Sequence, residues 1–183
     1  MRDTKQDVLH FWFVETRPVQ WFQKNEDFDR LIGERFLVTY RMAQDGLCDS
    51  WAAEAEGALA LCVVLDQFPR NMFRGRPEAF AGEARALRVA AQAIRMGFDQ
   101  VLPPLRRRFF YLPYGHSEDP ENQRRSVQFF AGMREVDPTG YEYALRRQDV
   151  IRRFGRFPQR NNVLGRDSTE AEILYLGQPG TEF

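Results

Sequence analysis

No stretch of this chain alternates polar and apolar residues with a period of two between turn signals, and nearly every long periodic segment keeps steps of three and four. The clearest runs from Pro77 to Met96. Phe80, Ala84, Leu87, Ala91 and Ile94 keep the helical step, Pro77 suits the first turn and Gly97 the stop. A strand cannot use such a pattern, because its side chains change faces at every residue. The spacing therefore predicts an all-α fold, a stack of antiparallel helix pairs.

Other segments follow the same rule. Residues 4–14 carry Val8, Leu9, Phe11, Trp12 and Phe13, a short apolar first helix. From Asn25 to Gln44, Phe28, Leu31, Ile32, Phe36 and Tyr40 mark one face, and Gly46 suits the end. Residues 50–68 form a helix whose second half is apolar all round, which implies full burial, and Pro69 interrupts it. A short helix over 102–111 leads into a loop from Leu112 to Asp119. Asp119-Pro120 and Asp137-Pro138 each place a capping carboxylate before a first-turn proline, starting helices over 119–132 and 137–154, and Gly155 ends the second. Thr169 with Glu172 is a capping box for a last short helix over Ile173 and Leu176. Helix pairs with short connectors fit a helical-repeat-like array, although no exact repeat is visible.

At 183 residues the chain has the length of one domain, read here as residues 1–183. Its longest unbroken apolar run, Ala58 to Leu65, is far short of the roughly 18–20 residues that span a bilayer. The N-terminus lacks the apolar core of a signal peptide. Cys48 and Cys62 form neither a disulfide framework nor a metal spacing. These features predict a soluble, cytoplasmic protein without membrane contact. Zero net charge and the lack of any recognised motif argue against nucleic acid. Oligomeric state is not legible.

Chemistry concentrates in residues 154–166, Phe-Gly-Arg-Phe-Pro-Gln-Arg-Asn-Asn-Val-Leu-Gly-Arg, where proline, glycine and asparagine exclude regular helix or strand. A second Phe-Pro…Arg-Asn segment lies at Asp66–Asn71. The arginine excess, twenty-four against Lys5 and Lys24, is first a matter of base composition. Its distribution is not: residues 146–166 hold seven arginines against Asp149 alone. Arg156, Arg160 and Arg166, with Asn161 and loop amides, suit a phosphate or carboxylate. Asp66, Arg70 and Asn71 are the matching candidates in the earlier segment. Asp66, in the last turn of an apolar helix, needs a partner, which an arginine of the 154–166 loop would supply. No glycine-rich phosphate loop is present.

His116 lies in a Pro/Gly segment beside Glu118, so these two are the candidates for proton transfer. The bland alternative is that Ser117, Glu118 and Asp119 cap the next helix while His116 bonds a carbonyl. A Ser117 nucleophile is disfavoured, because adjacent side chains rarely face each other. His10, between Leu9 and Phe11, reads as a core or interface histidine. Two histidines and two cysteines in apolar settings do not make a zinc site, and no calcium-loop spacing occurs; the expectation is no metal and no cofactor.

Phe11-Trp-Phe13, Trp21-Phe22 with Lys24, Leu65-Asp-Gln-Phe-Pro-Arg-Asn71 with Phe73-Arg-Gly75, Phe109-Phe-Tyr-Leu-Pro113, His116-Ser-Glu118 and Phe154–Arg166 closing on Ser168-Thr169 together resemble the bacterial DUF924 family over nearly the whole chain. The resemblance implies an all-helical, tetratricopeptide-like, right-handed array and no established activity. The family pattern usually has histidine where Gln159 stands, an upstream histidine where Arg147 stands, and often aspartate at Glu83. If the family uses those imidazoles for metal binding or proton transfer, this chain lacks them; if they only donate hydrogen bonds, Gln159 and Arg147 substitute.

Three readings follow. In the first, Arg70, Arg156, Arg160 and His116 line a site for a small anionic ligand, with Asp66 and Glu118 orienting the arginines. In the second, the array is a scaffold for a partner protein or peptide. In the third, the polar motifs mainly cross-link loop ends.

Overall fold

The computed structural model describes residues 4–181, and among them every regular element is helical. Contact density divides the chain into two compact units that meet in sequence at Pro113 and Tyr114. Among the described residues no helix is long and apolar enough to cross a membrane.

In the first unit, α1 (Lys5–His10) starts at a Thr4–Asp7 capping box and widens into a π-helical turn over Phe11–Glu15. Thr16 stops it, its hydroxyl donating to Trp12 O at 2.6 Å, and Trp21 Nε1 donates to the same carbonyl at 2.9 Å. This turn buries Phe11 and Trp12 among Phe28, Phe36, Phe68 and Phe109. His10 is exposed, 3.9 Å from Glu15, which removes the core half of the core-or-interface expectation. α2 (Glu26–Gln44) is capped by Asn25 and buries Phe28, Ile32, Phe36, Tyr40 and Ala43. Leu31 lies off that four-residue row and stays exposed.

The expected helix over 50–68 is built in pieces. A 3-10 turn, Asp49–Ala53, precedes α3 (Ala55–Cys62), a π-helical turn covers Val63–Gln67, and α4 (Phe68–Met72) continues. Residues Ala58 to Leu65 are fully buried, as their apolar character requires. Pro69 does not end the helix. A proline ring clashes with the carbonyl four residues earlier, here that of Leu65; the wider π turn moves this carbonyl aside, and Pro69 takes the first turn of α4. The Asp66–Asn71 motif is therefore helical, not a turn.

After a 3-10 turn over Pro77–Phe80, α5 (Glu83–Arg95) presents a row of small residues, Ala86, Ala90 and Ala93, to the interior. The larger Leu87 and Ile94 are only half-buried, so the buried row is offset from the expected one and lets α5 approach α3 closely. α6 (Phe98–Val101) is tied to α7 (Pro104–His116) through buried Asp99, which accepts from Tyr111 Oη at 2.7 Å. α7 also overturns an expectation: residues 112–116 are helix, not loop, and Pro113 lies inside it. Phe109, Phe110, Tyr111, Leu112 and Tyr114 are all buried, and packing of that extent outweighs the roughly 3 kcal/mol cost of an internal proline.

In the second unit, α8 (Pro120–Ala131) and α9 (Pro138–Phe154) pack on one another. Both start as expected: the Asp119 carboxylate accepts from the amides of Glu121 and Asn122, and Asp137 from that of Gly140. Gly155 ends α9 at φ +70°, a conformation that glycine adopts without penalty. A 3-10 turn, Pro158–Arg160, opens the loop, and α10 (Glu170–Leu176) closes it behind its Thr169–Glu172 capping box. Val150, Ile151, Phe157 and Tyr175 form the core beneath.

Candidate functional site

The candidate residues fall into two groups, Asp66, Arg70 and Asn71 in the first unit, and His116, Glu118, Arg156, Arg160, Asn161 and Arg166 in the second. Each is described by itself.

The π turn carries Asp66, which is 1% exposed. Its carboxylate accepts from Gln67 Nε2 at 2.5 Å and lies 3.7 Å from Arg70 Nε, one helical turn on. The Arg70 guanidinium pairs with Glu83 and lies over the Phe80 ring, so it stands between two carboxylates. Asn71, buried, donates from Nδ2 to Asp29 Oδ1 at 2.8 Å. Arg74 grips the same carboxylate with both Nε (2.7 Å) and Nη2 (2.9 Å). Asn71 and Arg74 thus tie α4 to the first turn of α2, a tie in which Arg74 belongs to the Phe73-Arg-Gly75 motif and Asp29 had no signal beyond its charge.

In the second unit the loop turns its arginines inward, onto the chain itself. Arg166 holds Glu118 in a two-pronged pair, Nη1 to Oε2 at 2.8 Å and Nη2 to Oε1 at 3.0 Å. It also donates to Asn161 Oδ1 and to the Phe157 carbonyl, both at 3.0 Å. Asn161, buried, passes the link on to Ser168 Oγ. Glu118 Oε1 accepts a further bond from the Phe157 amide at 2.7 Å. Arg156 grips Glu172 in the same way, Nε to Oε1 at 2.7 Å and Nη2 to Oε2 at 2.9 Å, and adds the Asp167 carbonyl. Glu172 also completes the α10 cap by accepting from the Thr169 amide. Its second role, as the anchor for Arg156, was hidden behind the first.

His116 is buried in the last turn of α7, where its carbonyl accepts from Arg160 Nη2 at 2.9 Å. A cation suits a helix C-terminus, and the Arg160 guanidinium also lies over the Phe157 ring. Buried Gln123 on α8 donates from Nε2 to the Gly115 and Ser117 carbonyls, satisfying further orphan groups of that helix end. Ser117 Oγ accepts from the Asp119 amide and from Asn122 Nδ2, so the serine braces the segment that leads into α8, whose cap is Asp119. Arg147 lies against Gly115, while the buried Gln159 Oε1 makes no hydrogen bond. Among the described residues no group of three or more His, Cys, Asp or Glu is placed to hold a metal ion. Cys48 and Cys62 are free and buried, and burial pushes both thiols up, away from the reactive thiolate.

The two glutamates titrate low. Burial raises Glu118, but the bonds from Arg166 and the Phe157 amide outweigh it, and the net shift is downward. Arg156 brings Glu172 down to about 2, against burial and with help from the Thr169 amide. A carboxylate whose folded value is depressed stabilises the fold above its unfolded value, near 4.5 here, and that contribution is lost as pH falls through the folded value. The melting temperature is therefore expected to drop between about pH 5 and pH 2. Glu172→Gln should be less stable near neutrality and lose less over that window. Working in about 0.5 M salt screens exposed pairs such as Glu121 with Arg124. Parallel wild-type and Glu172→Gln curves would remove the assignment.

A profile of the DUF924 family, bacterial proteins of unknown function, matches residues 8–180. A solved structure of a protein of unknown function from Agrobacterium tumefaciens is similar to this chain at a TM-score of 0.90 and 38% identity, over 94% of this chain and 96% of that one. A comparison with curated proteins gives no match. With its motifs placed and the family profile spanning almost its full length, this chain belongs to the DUF924 family of bacterial proteins of unknown function.

Proposed function

We propose that this chain is a cytoplasmic helical scaffold that binds a partner protein or peptide, and that its 154–169 motif is the lock that keeps one end of the scaffold in shape. One observation carries this reading. The forks of Arg156 and Arg166 are spent on Glu172 and Glu118, and further donors go to the Asp167 and Phe157 carbonyls and to Asn161. A small anion would have to displace two carboxylates already held in two-pronged geometry, one of them almost wholly buried. Such pairs are among the strongest polar contacts that side chains make. Glu118 has both oxygens engaged and its pKa held down, so it is a poor proton acceptor near neutral pH.

A thermal-shift screen of phosphorylated and carboxylated metabolites tests the choice. No compound should raise the melting temperature through these arginines, and Arg156→Ala should lower it with or without added metabolite. A metabolite that stabilises the wild type by several degrees and leaves Arg156→Ala unmoved would establish an anion receptor and end the lock reading.

A further inference from the structure

Pairing inside the loop leaves part of the basic run at 146–166 unused. Arg146, Arg152 and Arg153 lie on α9 outside that network, with Asp149 among them. Arg152, whose side chain is 78% exposed, pairs with Asp149 at 2.6 Å, and Arg153 stands 3.8 Å from the same carboxylate. Arg153 also lies over the rings of Phe154 and Tyr175, which fixes its plane.

A groove of about 380 Å³ opens beside these residues. Leu145, Val150 and Tyr175 give it an apolar wall, Arg146 and Asp149 line it as well, and the turn 178–181 forms the opposite side. That turn is held by bonds from the Gln178 amide to the Tyr175 carbonyl and from Thr181 Oγ1 to the Gln178 carbonyl. Gly180, next to the Arg146 guanidinium, takes φ +78°, a conformation that other residues rarely adopt. Leu145 is half open to solvent. Exposed apolar side chains occur elsewhere in the same unit; on α10 Leu174 is 72% exposed and Ile173 59%.

We propose that this groove is the docking site for an acidic peptide segment of a partner protein. One aliphatic side chain of the segment seats on Leu145, Val150 and Tyr175, and its carboxylates meet Arg146 and Arg153. The inference rests on the scaffold reading and gives it a location. Arg146 in the lining and Arg152 and Arg153 beside Asp149 outnumber that one carboxylate, and the excess of positive charge matches an acidic segment. Asp149 in their midst would repel a polyphosphate backbone or an anionic bilayer, whereas a peptide can offer it a backbone N–H. An apolar wall beside charged side chains in an open groove suits a peptide segment, which offers apolar and acidic side chains on one backbone.

The test uses the full chain and a fluorescein-labelled short peptide of alternating leucine and glutamate, followed by anisotropy. Saturable binding is expected, weakened about tenfold or more by Arg146→Glu and by Leu145→Asp. Both positions are solvent-facing, so each variant should melt as the wild type does, and a matching peptide with lysine for glutamate should not bind. Absence of saturable binding overturns the proposal, as does equal affinity for Arg146→Glu or for the lysine peptide. Such a failure leaves the lock reading standing, because that reading is tested separately, by metabolites acting through Arg156 and by the stability of the Arg166 and Glu118 variants.

Discussion

Gly82→Ala is expected to destabilise the protein by about 3 kcal/mol, the upper end for an overpacked site, which lowers the melting temperature by about 6–12 °C at this chain length. A β-carbon at residue 82 would stand 2.0 Å from the Leu65 carbonyl oxygen, a backbone atom without a rotamer to change. That carbonyl is the one Pro69 requires to move and the π turn carries aside. Relief must therefore come from shifting α5 or rebuilding the π turn. Either movement also disturbs Glu83, the neighbour of Gly82, and its pairing with Arg70. Gly33→Ala is the control. The nearest atom to its added carbon is Met72 Cγ at 3.9 Å, and a helical glycine replaced without a clash gains up to about 1 kcal/mol. Denaturant unfolding of the two variants should give opposite signs, and a neutral Gly82→Ala would show that the close approach is not needed.

Arg166→Ala is expected to cost about 2–4 kcal/mol, from the loss of charged hydrogen bonds and from a half-buried carboxylate left without its counter-charge. Four donations go at once, two to Glu118, one to Asn161 and one to the Phe157 carbonyl. Glu118→Gln should cost less, because a neutral amide can stay solvated at the rim without an uncompensated charge. The double variant should be more stable than the sum of the two losses predicts, with a coupling of about 1–3 kcal/mol. Chemical denaturation of all four proteins measures this. Additive losses, or an Arg166→Ala chain that unfolds at the wild-type midpoint, would mean that the pair does not hold the loop.

The candidate site was half legible. Gly155–Arg166 lacks α-helix and strand, as its proline, glycine and asparagine content requires, and Asp119, Asp137 and Thr169 cap the helices they precede. The earlier Phe-Pro…Arg-Asn segment has the same composition and folds as helix, because the burial around it and the π turn accommodate Pro69. Pro113 and Gly115 misled in the same direction. Loop composition placed His116 in a loop, whereas the aromatic run before it drives the helix onward and buries it.

Most helix starts, their caps and most of the buried row of α2 follow from the sequence by itself, because each depends on residues within one or two turns of each other. Partner choice does not. Glu118 lies 48 residues before Arg166, and Glu172 lies 16 after Arg156. With as many acidic as basic side chains in the chain, no local rule selects those pairs. Only the tertiary structure, by bringing particular forks and carboxylates into desolvated contact, decided that these arginines face inward while Arg146, Arg152 and Arg153 lie outside the lock. Coulomb attraction is indifferent to identity, and geometry and burial supply the choice.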